Sequence, residues 1–293
     1  MSTRNQPATI RSLASLRTRV RVFRQEGDRI AFVPTMGALH EGHLSLIRLA
    51  KRRAERVVVS IFVNPTQFAP GEDFEAYPRD LKADRKLLAG LGVDIIYTPN
   101  RDHMYHDDHS TTVRVGGVGD NLETDHRPTF FHGVALVVAK LLNRVQPDHA
   151  VFGEKDYQQL AVIRRLVRDL DMPVEIVGAK IARDSHGLAL SSRNRYFDEA
   201  GLATARALNG VMFAARDRLQ DNESVEATLE WAARSLIDAG FAAVDYVSLA
   251  DAESLAPITR GPIDAPARLL IAAHCPAPDR LVRLIDNCAV DPT

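Results

Sequence analysis

Two histidines lie three residues apart after an apolar segment and a small turn. Residues 32–44 read Phe-Val-Pro-Thr-Met-Gly-Ala-Leu-His-Glu-Gly-His-Leu, which places imidazoles at His40 and His43. If a helix begins near His43, its first backbone N–H groups have no partner within the helix and carry partial positive charge. Such a turn can bind phosphate, and Gly42 leaves room for close approach of the backbone. We therefore predict that both imidazoles donate to phosphoryl oxygens.

The histidine pair could also have a purely structural role. Histidines at the start of a helix can serve only as caps, and so short a pattern also recurs by chance. A zinc site is not favoured, because zinc-binding helices usually place histidines four apart with a third ligand nearby. The position of the pair after a strand and a Pro-Thr-Met-Gly turn favours the phosphate-binding interpretation.

A lysine between two carboxylates follows a later apolar segment, where residues 152–160 read Phe-Gly-Glu-Lys-Asp-Tyr-Gln-Gln-Leu. Lys155 would be unfavourable at the positive end of a helix unless an anion lies there, so it is a candidate phosphate ligand. The alternative is an ordinary solvated loop charge. Asp156 can serve as the N-cap of the helix, a role that Asp favours, and capping does not prevent it from binding a ligand.

Two further segments combine polar groups. Ser191, Ser192 and Arg193 offer hydroxyls and a guanidinium that can surround a polyphosphate, although an ordinary loop has a similar composition. The amides of Asn64 and Gln67 lie at the end of a predicted strand and can bind a substrate hydroxyl or carboxylate. An Asn-Pro turn is the structural alternative for this second segment.

A pair of carboxylates provides a candidate cation site. Asp80 and Asp84 are four residues apart on a predicted helix, so they can share a face near a divalent cation. Exposed helical carboxylates are, however, usually just solvated.

The hydrophobic periodicity predicts the elements that position these residues. Strands are expected at 29–34, 56–63, 93–98, 149–152 and 174–177, with helices at 44–53, 83–90, 134–144 and 158–170. This alternation indicates an α/β fold, a Rossmann-like doubly wound parallel sheet that binds ligands at the carboxyl ends of its strands. The segments with notable polar residues, 34–43, 64–68 and 153–157, each follow a predicted strand.

The pattern changes after residue 181. Helices are expected at 200–219 and 225–239, strands at 244–249 and 268–273, and a surface loop with three prolines at 256–266. We therefore predict two domains: a nucleotide- and substrate-binding domain at 1–181 and a smaller C-terminal α+β domain at 182–293.

Composition and charge exclude several classes of protein. The 293 residues carry a net charge of −1, so no overall field attracts nucleic acid or an anionic membrane. No apolar run approaches the ~18 residues of a membrane span, and the N-terminus lacks a signal-peptide pattern. We therefore expect a cytoplasmic protein. The two cysteines, Cys275 and Cys288, are too few for a disulfide framework or a four-cysteine zinc site.

The four motifs around His40, Asn64, Lys155 and Ser191, in this order and spacing, closely resemble the pantothenate synthetase (pantoate–β-alanine ligase) family, which has a nucleotidyltransferase-type Rossmann domain with a HIGH-type motif. The resemblance implies condensation of pantoate with β-alanine, using Mg²⁺ and ATP, to give pantothenate, AMP and pyrophosphate through pantoyl adenylate. It also implies a homodimer whose C-terminal domain closes over the site.

The resemblance further implies a role for each motif residue. Lys155 would bridge phosphate and pantoate, and Asp156 would hold the ribose. By function, the implied residues are: catalytic, His40, His43 and Lys155; ATP-binding, Met36, Gly153, Asp156, Ser191, Ser192 and Arg193; pantoate-binding, Asn64, Gln67 and Gln159; magnesium-binding, Asp84. No residue is assigned as general base.

The sequence departs from the family pattern at two places. Leu190 stands where the family usually has Met, a change that preserves apolar volume. Thr129 and Phe130 replace a usual Gly-His pair, so the adjacent Arg127 receives no predicted role.

Two rival functions share part of the pattern. One is a nucleotidylyltransferase acting on a phosphorylated metabolite, which would share the first motif and the fold. The other is a nucleotide-binding or tRNA-associated module without catalysis, although the neutral net charge argues against RNA binding.

Overall fold

The computed structural model describes residues 6–68 and 74–292, which form two sheets with flanking helices. The first sheet contains β1 (Ala8–Ile10), β2 (Ile30–Thr35), β3 (Arg56–Ile61), β4 (Ile95–Tyr97), β5 (His149–Gly153) and β6 (Glu175–Ala179). The helices of this part are α1 (Leu13–Gln25), α2 (Glu41–Arg53), α3 (Leu81–Gly90), α4 (Arg101–Met104), α5 (Glu123–His126), α6 (Phe130–Val145) and α7 (Tyr157–Asp169).

The remaining elements form a second layer of sheet and helix. They are α8 (Glu199–Gln220), α9 (Val225–Asp238), β7 (Ala243–Asp251), β8 (Ala267–Ala277) and β9 (Arg280–Val290). The three strands are antiparallel in the order β7-β8-β9. Short 3₁₀ turns at Pro65–Gln67, Glu154–Asp156 and Ser192–Tyr196 carry several of the predicted site residues.

The first sheet has the strand order β1-β4-β3-β2-β5-β6, and all neighbouring strands are parallel. The predicted doubly wound parallel sheet is therefore confirmed. From β2 the chain proceeds to β3 and β4 on one side, whereas from β5 it proceeds to β6 on the other. The direction of winding reverses between β2 and β5, and in sheets of this class ligands bind at such a switch point.

Burial explains why these strands read as continuous apolar runs. Helices cover both faces of the sheet, so Ile30 to Val33 of β2 and Val57 to Val59 of β3 are all almost fully buried. Helix α6 also has most of its residues buried, because it packs against β2, α1 and α7. A separate apolar core joins α8 and α9 to the antiparallel sheet, and the free cysteines Cys275 and Cys288 are buried in it.

Of the elements described above, β1, α1, α4, α5 and β9 were not predicted from the sequence. In α1 the buried residues Leu16, Val20 and Phe23 form a narrow stripe among arginines and polar residues, so its helical pattern is weak. Helix α2 begins at Glu41, earlier than predicted, because His40 caps it. Within the described residues, no helix combines the length and apolarity needed to cross a membrane.

The close approach of α6 to a site-bearing turn depends on one glycine. A Cβ added at Gly133 in α6 would lie 2.2 Å from the backbone oxygen of Thr66 in the turn Pro65–Gln67. We predict that Gly133→Ala lowers the free energy of unfolding by about 1–3 kcal/mol through this overlap, despite the better helix propensity of Ala. Chemical denaturation measures the effect.

Gly210→Ala is the matched control, because Gly210 is also in the interior of a helix but a Cβ there meets no atom within 4 Å. This variant is expected to be neutral or to gain up to about 1 kcal/mol. Equal unfolding free energies for the two variants would show that the α6 contact is not tight.

Candidate functional site

The histidine pair is fixed by the first turn of α2. His40 is the N-cap, and its Nδ1 accepts from the backbone N–H of Gly42 at 3.2 Å. The backbone N–H of His40 donates to Nδ1 of His43 at 3.3 Å, and the two ring centroids are 4.1 Å apart. Because Nδ1 is the acceptor in both rings, a neutral imidazole must carry its proton on Nε2. Capping the helix thus leaves each ring one N–H donor.

The surroundings keep both rings neutral. Burial lowers the pKa of His40 to about 4, and the charges of Lys155 and Arg195 contribute to this shift. Burial also lowers the pKa of His43 to about 3, with smaller contributions from His40 and Lys155. At neutral pH these residues are therefore uncharged hydrogen-bond donors rather than cations.

The structure gives a reason for glycine at position 42 that was not predicted. A Cβ at this position would lie 2.8 Å from Cε1 and 2.9 Å from Nδ1 of His40. The glycine therefore makes room for the imidazole of His40, which folds back over the helix start. The contacts give no separate support for the prediction that it admits a phosphate group to the backbone.

The loop between β2 and α2 is held by Asp84 of α3. The backbone N–H groups of Ala38 and Leu39 donate to its two carboxylate oxygens at 3.1 and 2.8 Å. Gly37 and Ala38 both have positive φ, at 86° and 52°, so the turn needs this support. Asp84 is 3% exposed, and burial raises its pKa despite the two hydrogen bonds.

These contacts favour a structural role for Asp84 over the predicted binding of magnesium, since both oxygens already have partners. Asp80 is likewise occupied as the N-cap of α3, where it accepts from the N–H of Ala83. No group of three or more His, Cys, Asp or Glu suited to a metal occurs among the described residues.

The turn after β3 presents Gln67 and is organised by Asn64. The Asn64 side chain is 1% exposed, and its Nδ2 donates to Oε1 of Gln67 at 3.0 Å and to the backbone oxygen of Gly133. Its Oδ1 accepts from the hydroxyl of Tyr105. Gln67 lines a large cavity, whereas Asn64 does not. The geometry therefore makes Asn64 a support for Gln67, and its contact to pantoate stays a prediction.

Lys155 lies in the 3₁₀ turn between β5 and α7. Its neighbour Glu154 pairs with Arg268, and in the part of the chain that the structure describes no carboxylate pairs with the Lys155 ammonium. Asp156 adjoins α7 without a side-chain cap hydrogen bond, so the capping alternative is not observed. An unpaired ammonium beside neutral imidazoles is a favourable place for an anion.

The loop with Ser191 approaches from the other side. Ser191 caps the turn Ser192–Tyr196 by accepting from the backbone N–H of Arg193 at 3.3 Å. The hydroxyl of Ser192 is 3.4 Å from that of Tyr77. The amide of Asn194 donates to the backbone oxygen of Ala189 and closes the loop.

These segments meet in one cavity of about 310 Å³ at the carboxyl ends of β2 and β5. All predicted site residues except Asn64 and Asp84 line it. The lining members are Met36, His40, His43, Gln67, Gly153, Lys155, Asp156, Gln159, Ser191, Ser192 and Arg193. Residues more than 150 positions apart in the chain are thus brought to a common volume.

Several lining residues were not predicted. Helix α6 supplies an apolar wall that includes Val134, Val138 and Leu141, which the sequence alone marks only as core. Arg127 also lines the cavity, donates to the backbone oxygen of Gln67 at 2.9 Å and lies 3.9 Å from the ring centroid of Phe130. The unusual residues at 129 and 130 had removed the sequence signal for this arginine.

The antiparallel sheet contributes a second unpredicted group. Arg283 of β9 donates to Glu123 at 2.9 Å and to Asp245 at 2.7 Å, and Arg283 and Glu123 both line the cavity. Glu123 also accepts from Arg127. No spacing rule could pair Glu123 with an arginine 160 positions away, and β9 itself was not predicted.

Comparisons with known proteins show the family to which the chain is similar. A family model described as Pantoate-beta-alanine ligase matches residues 8–289. The chain is 53% identical to a pantothenate synthetase of Mesorhizobium japonicum, covering 98% of this chain and 99% of the relative. It is 51% identical to one from Caulobacter vibrioides, covering 97% and 99%.

Two solved structures are also similar. Pantothenate synthetase from Thermus thermophilus superposes with a TM-score of 0.88 at 42% identity, covering 97% of this chain and all of that one. Pantoate-beta-alanine ligase from Francisella tularensis, solved with β-γ ATP and β-alanine, gives 0.77 at 30% identity, covering 96% and 97%. By its sequence and its fold, this chain belongs to the pantoate–β-alanine ligase family.

Proposed function

We propose that this chain catalyses the ATP-dependent condensation of pantoate with β-alanine to give pantothenate, AMP and pyrophosphate through pantoyl adenylate. The observation that carries the proposal is the cavity that joins two imidazole donors, the Lys155 ammonium, a Ser-Ser-Arg loop and two glutamines. Family membership supports the same reaction over both rival functions.

In the first step the carboxylate of pantoate attacks the α-phosphorus of ATP, and pyrophosphate leaves. The enzyme has to hold the reactants in line and stabilise charge on the phosphoryl oxygens. His40 and His43 donate Nε2–H to these oxygens, while Lys155 bridges phosphate and pantoate. Ser191, Ser192 and Arg193 bind the outer phosphates. Neutral donors in a buried site act without reorganising as charge develops.

The two substrates occupy different walls of the cavity. Gln67 and Gln159 bind the polar groups of pantoate, and the apolar wall of α6 accommodates its methyl groups. Met36, Gly153 and Asp156 contact the nucleoside, with Asp156 holding the ribose. The backbone of Gln67 is held by Arg127, and its side chain by Asn64. Gln67, which binds pantoate in this proposal, is thus held in place by both of these residues.

In the second step the neutral amine of β-alanine attacks the acyl carbon of pantoyl adenylate, and AMP leaves. No covalent enzyme intermediate is required. We assign no general base, since desolvation in the cavity lowers the pKa of an amine and supplies its neutral form.

Further parts of the proposal concern the whole protein. Mg²⁺ enters with ATP as part of the substrate, bound mainly by phosphates and water, which suits a site where Asp84 already has partners. We propose a cytoplasmic homodimer without a nucleic-acid partner. Each chain divides into a domain at 1–181 and a smaller one at 182–293 that closes over the cavity and excludes water from the adenylate.

The reaction is tested by incubating the protein with ATP, pantoate and β-alanine and detecting pantothenate and AMP by mass spectrometry. Both products are expected only when all three substrates are present. Pantoate-dependent exchange of labelled pyrophosphate into ATP is expected without β-alanine. Exchange that requires a phosphorylated metabolite instead of pantoate would support the nucleotidylyltransferase.

The Nε2–H donor of His43 is tested by His43→Asn, which keeps a polar side chain but shortens it. We predict an approximately 100-fold lower rate of pyrophosphate exchange, the usual scale for loss of one preorganised donor. His186→Asn, at an exposed histidine outside the cavity lining, is the matched control. An unchanged rate in His43→Asn would refute this assignment.

The lowered histidine pKa values predict a specific response to pH. Folded His43 titrates near a pKa of about 3 and unfolded histidine near about 6.5, so the unfolded state binds more protons between these values. The free energy of unfolding therefore falls as the pH drops through this window. Between neutral pH and about pH 5, His43 alone lowers it by about 2 kcal/mol. Chemical denaturation at neutral pH and at about pH 5 measures this loss of unfolding free energy. The loss should be smaller in His43→Gln than in the unchanged protein, whereas equal losses would mean that His43 has an ordinary pKa.

A further inference from the structure

Asn287 of β9 is a buried amide that joins the antiparallel sheet to the turn carrying Lys155. It is 2% exposed, and its Nδ2 donates to the backbone oxygens of Glu154 and Lys155, each at 2.9 Å. Its Oδ1 accepts from Nε of Arg268 at 2.7 Å. Both amide donors and the acceptor are thus used, which holds the side chain in one orientation.

The two carbonyls that Asn287 binds belong to the peptide groups on either side of the Lys155 Cα. Fixing both peptide planes determines the direction in which the lysine side chain leaves the backbone. The turn is only three residues long, Glu154–Asp156, and it lies between β5 and α7. The position of the ammonium therefore depends on a residue 132 positions later in the chain.

The residue before Asn287 contacts the segment that leads to the Ser191 loop. Asp286 is 2% exposed and binds Arg183 through two hydrogen bonds of 2.6 and 2.9 Å. Arg183 pairs with Ala189 in a short bridge on the segment that leads to Ser191. Adjacent residues of β9 thus hold both loops that carry proposed phosphate ligands.

We propose that Asn287 is a positioning residue for adenylate formation, acting through the backbone of Lys155 to direct its ammonium at the bound phosphate. The inference rests on the proposed role of Lys155. Asn287 also lines the cavity, but both of its donors are already occupied by protein oxygens. Its effect on the reaction is therefore indirect.

Asn287→Asp is the most informative variant. It keeps the shape and strengthens the contact to Arg268, but it replaces two donors by an oxygen that repels both backbone carbonyls. We expect kcat of pantoate-dependent pyrophosphate exchange to fall about 30-fold as the turn shifts, with the KM of ATP changed less than about threefold. Asn287→Ala, which removes the repulsion, is the second variant if Asn287→Asp does not fold.

The decisive measurement is a double-mutant cycle with Lys155→Ala. If Asn287 acts through Lys155, the double variant is no slower than Lys155→Ala alone. Ile271→Val controls for destabilisation of the same sheet, because Ile271 is fully buried in its core and does not line the cavity. It should unfold at a lower temperature with unchanged kcat.

The possible results distinguish the role of Asn287 from that of Lys155. If the double variant loses kcat by the product of the two single losses, the positioning role is wrong. It is also wrong if both Asn287 variants keep full activity while Lys155→Ala is impaired. Full activity in Lys155→Ala would instead refute the proposed role of Lys155 itself.

Discussion

The parallel pairing of β2 with β5 is the constraint on which the site depends. These strands are neighbours at the point where the winding of the sheet reverses, so their carboxyl ends open into the same crevice. The loop after β2 presents the histidine pair, and the turn after β5 presents Lys155. Each group also needs its own support, which Asp84 gives to the first loop and Asn287 to the second.

The histidines illustrate how a structural and a chemical role can coincide. Capping and phosphate binding are alternative interpretations of the pair at the level of sequence. In the structure the cap uses Nδ1 of His40, while Nε2 is left as a donor. The same hydrogen bonds set the tautomer, and burial lowers the pKa of both rings and keeps them neutral. A local backbone requirement therefore leaves each ring the N–H donor that the proposed phosphate contact needs.

The sequence predicted most of this site because strand ends and turn residues have local signals. The residues around His40, Lys155 and Ser191 lie in a common cavity as expected. Asn64 was predicted as a substrate contact from its place at a strand end, and Asp84 as a metal ligand from its spacing with Asp80 and from the family resemblance. Their partners, Gly133 for Asn64 and Ala38 for Asp84, come from distant or irregular segments.

The contributions of the antiparallel sheet could not be predicted for a related reason. Arg283 and Asn287 lie on β9, which the hydrophobic pattern did not reveal, and their contacts to Glu123 and Lys155 span 160 and 132 positions of the chain. Such contacts depend on how two sheets pack, which no periodicity within one segment encodes. The fold class was predictable because it depends on the alternation of strands and helices, which repeats along the chain.

In the proposed reaction, this cavity holds the pantoate carboxylate in line with the α-phosphorus of ATP. This arrangement is tested most directly by supplying pantoate labelled with ¹⁸O in both carboxylate oxygens and analysing the products by mass spectrometry. We expect one ¹⁸O in AMP, one in the new amide and none in pyrophosphate. Unlabelled AMP, or ¹⁸O in pyrophosphate or inorganic phosphate, would contradict it.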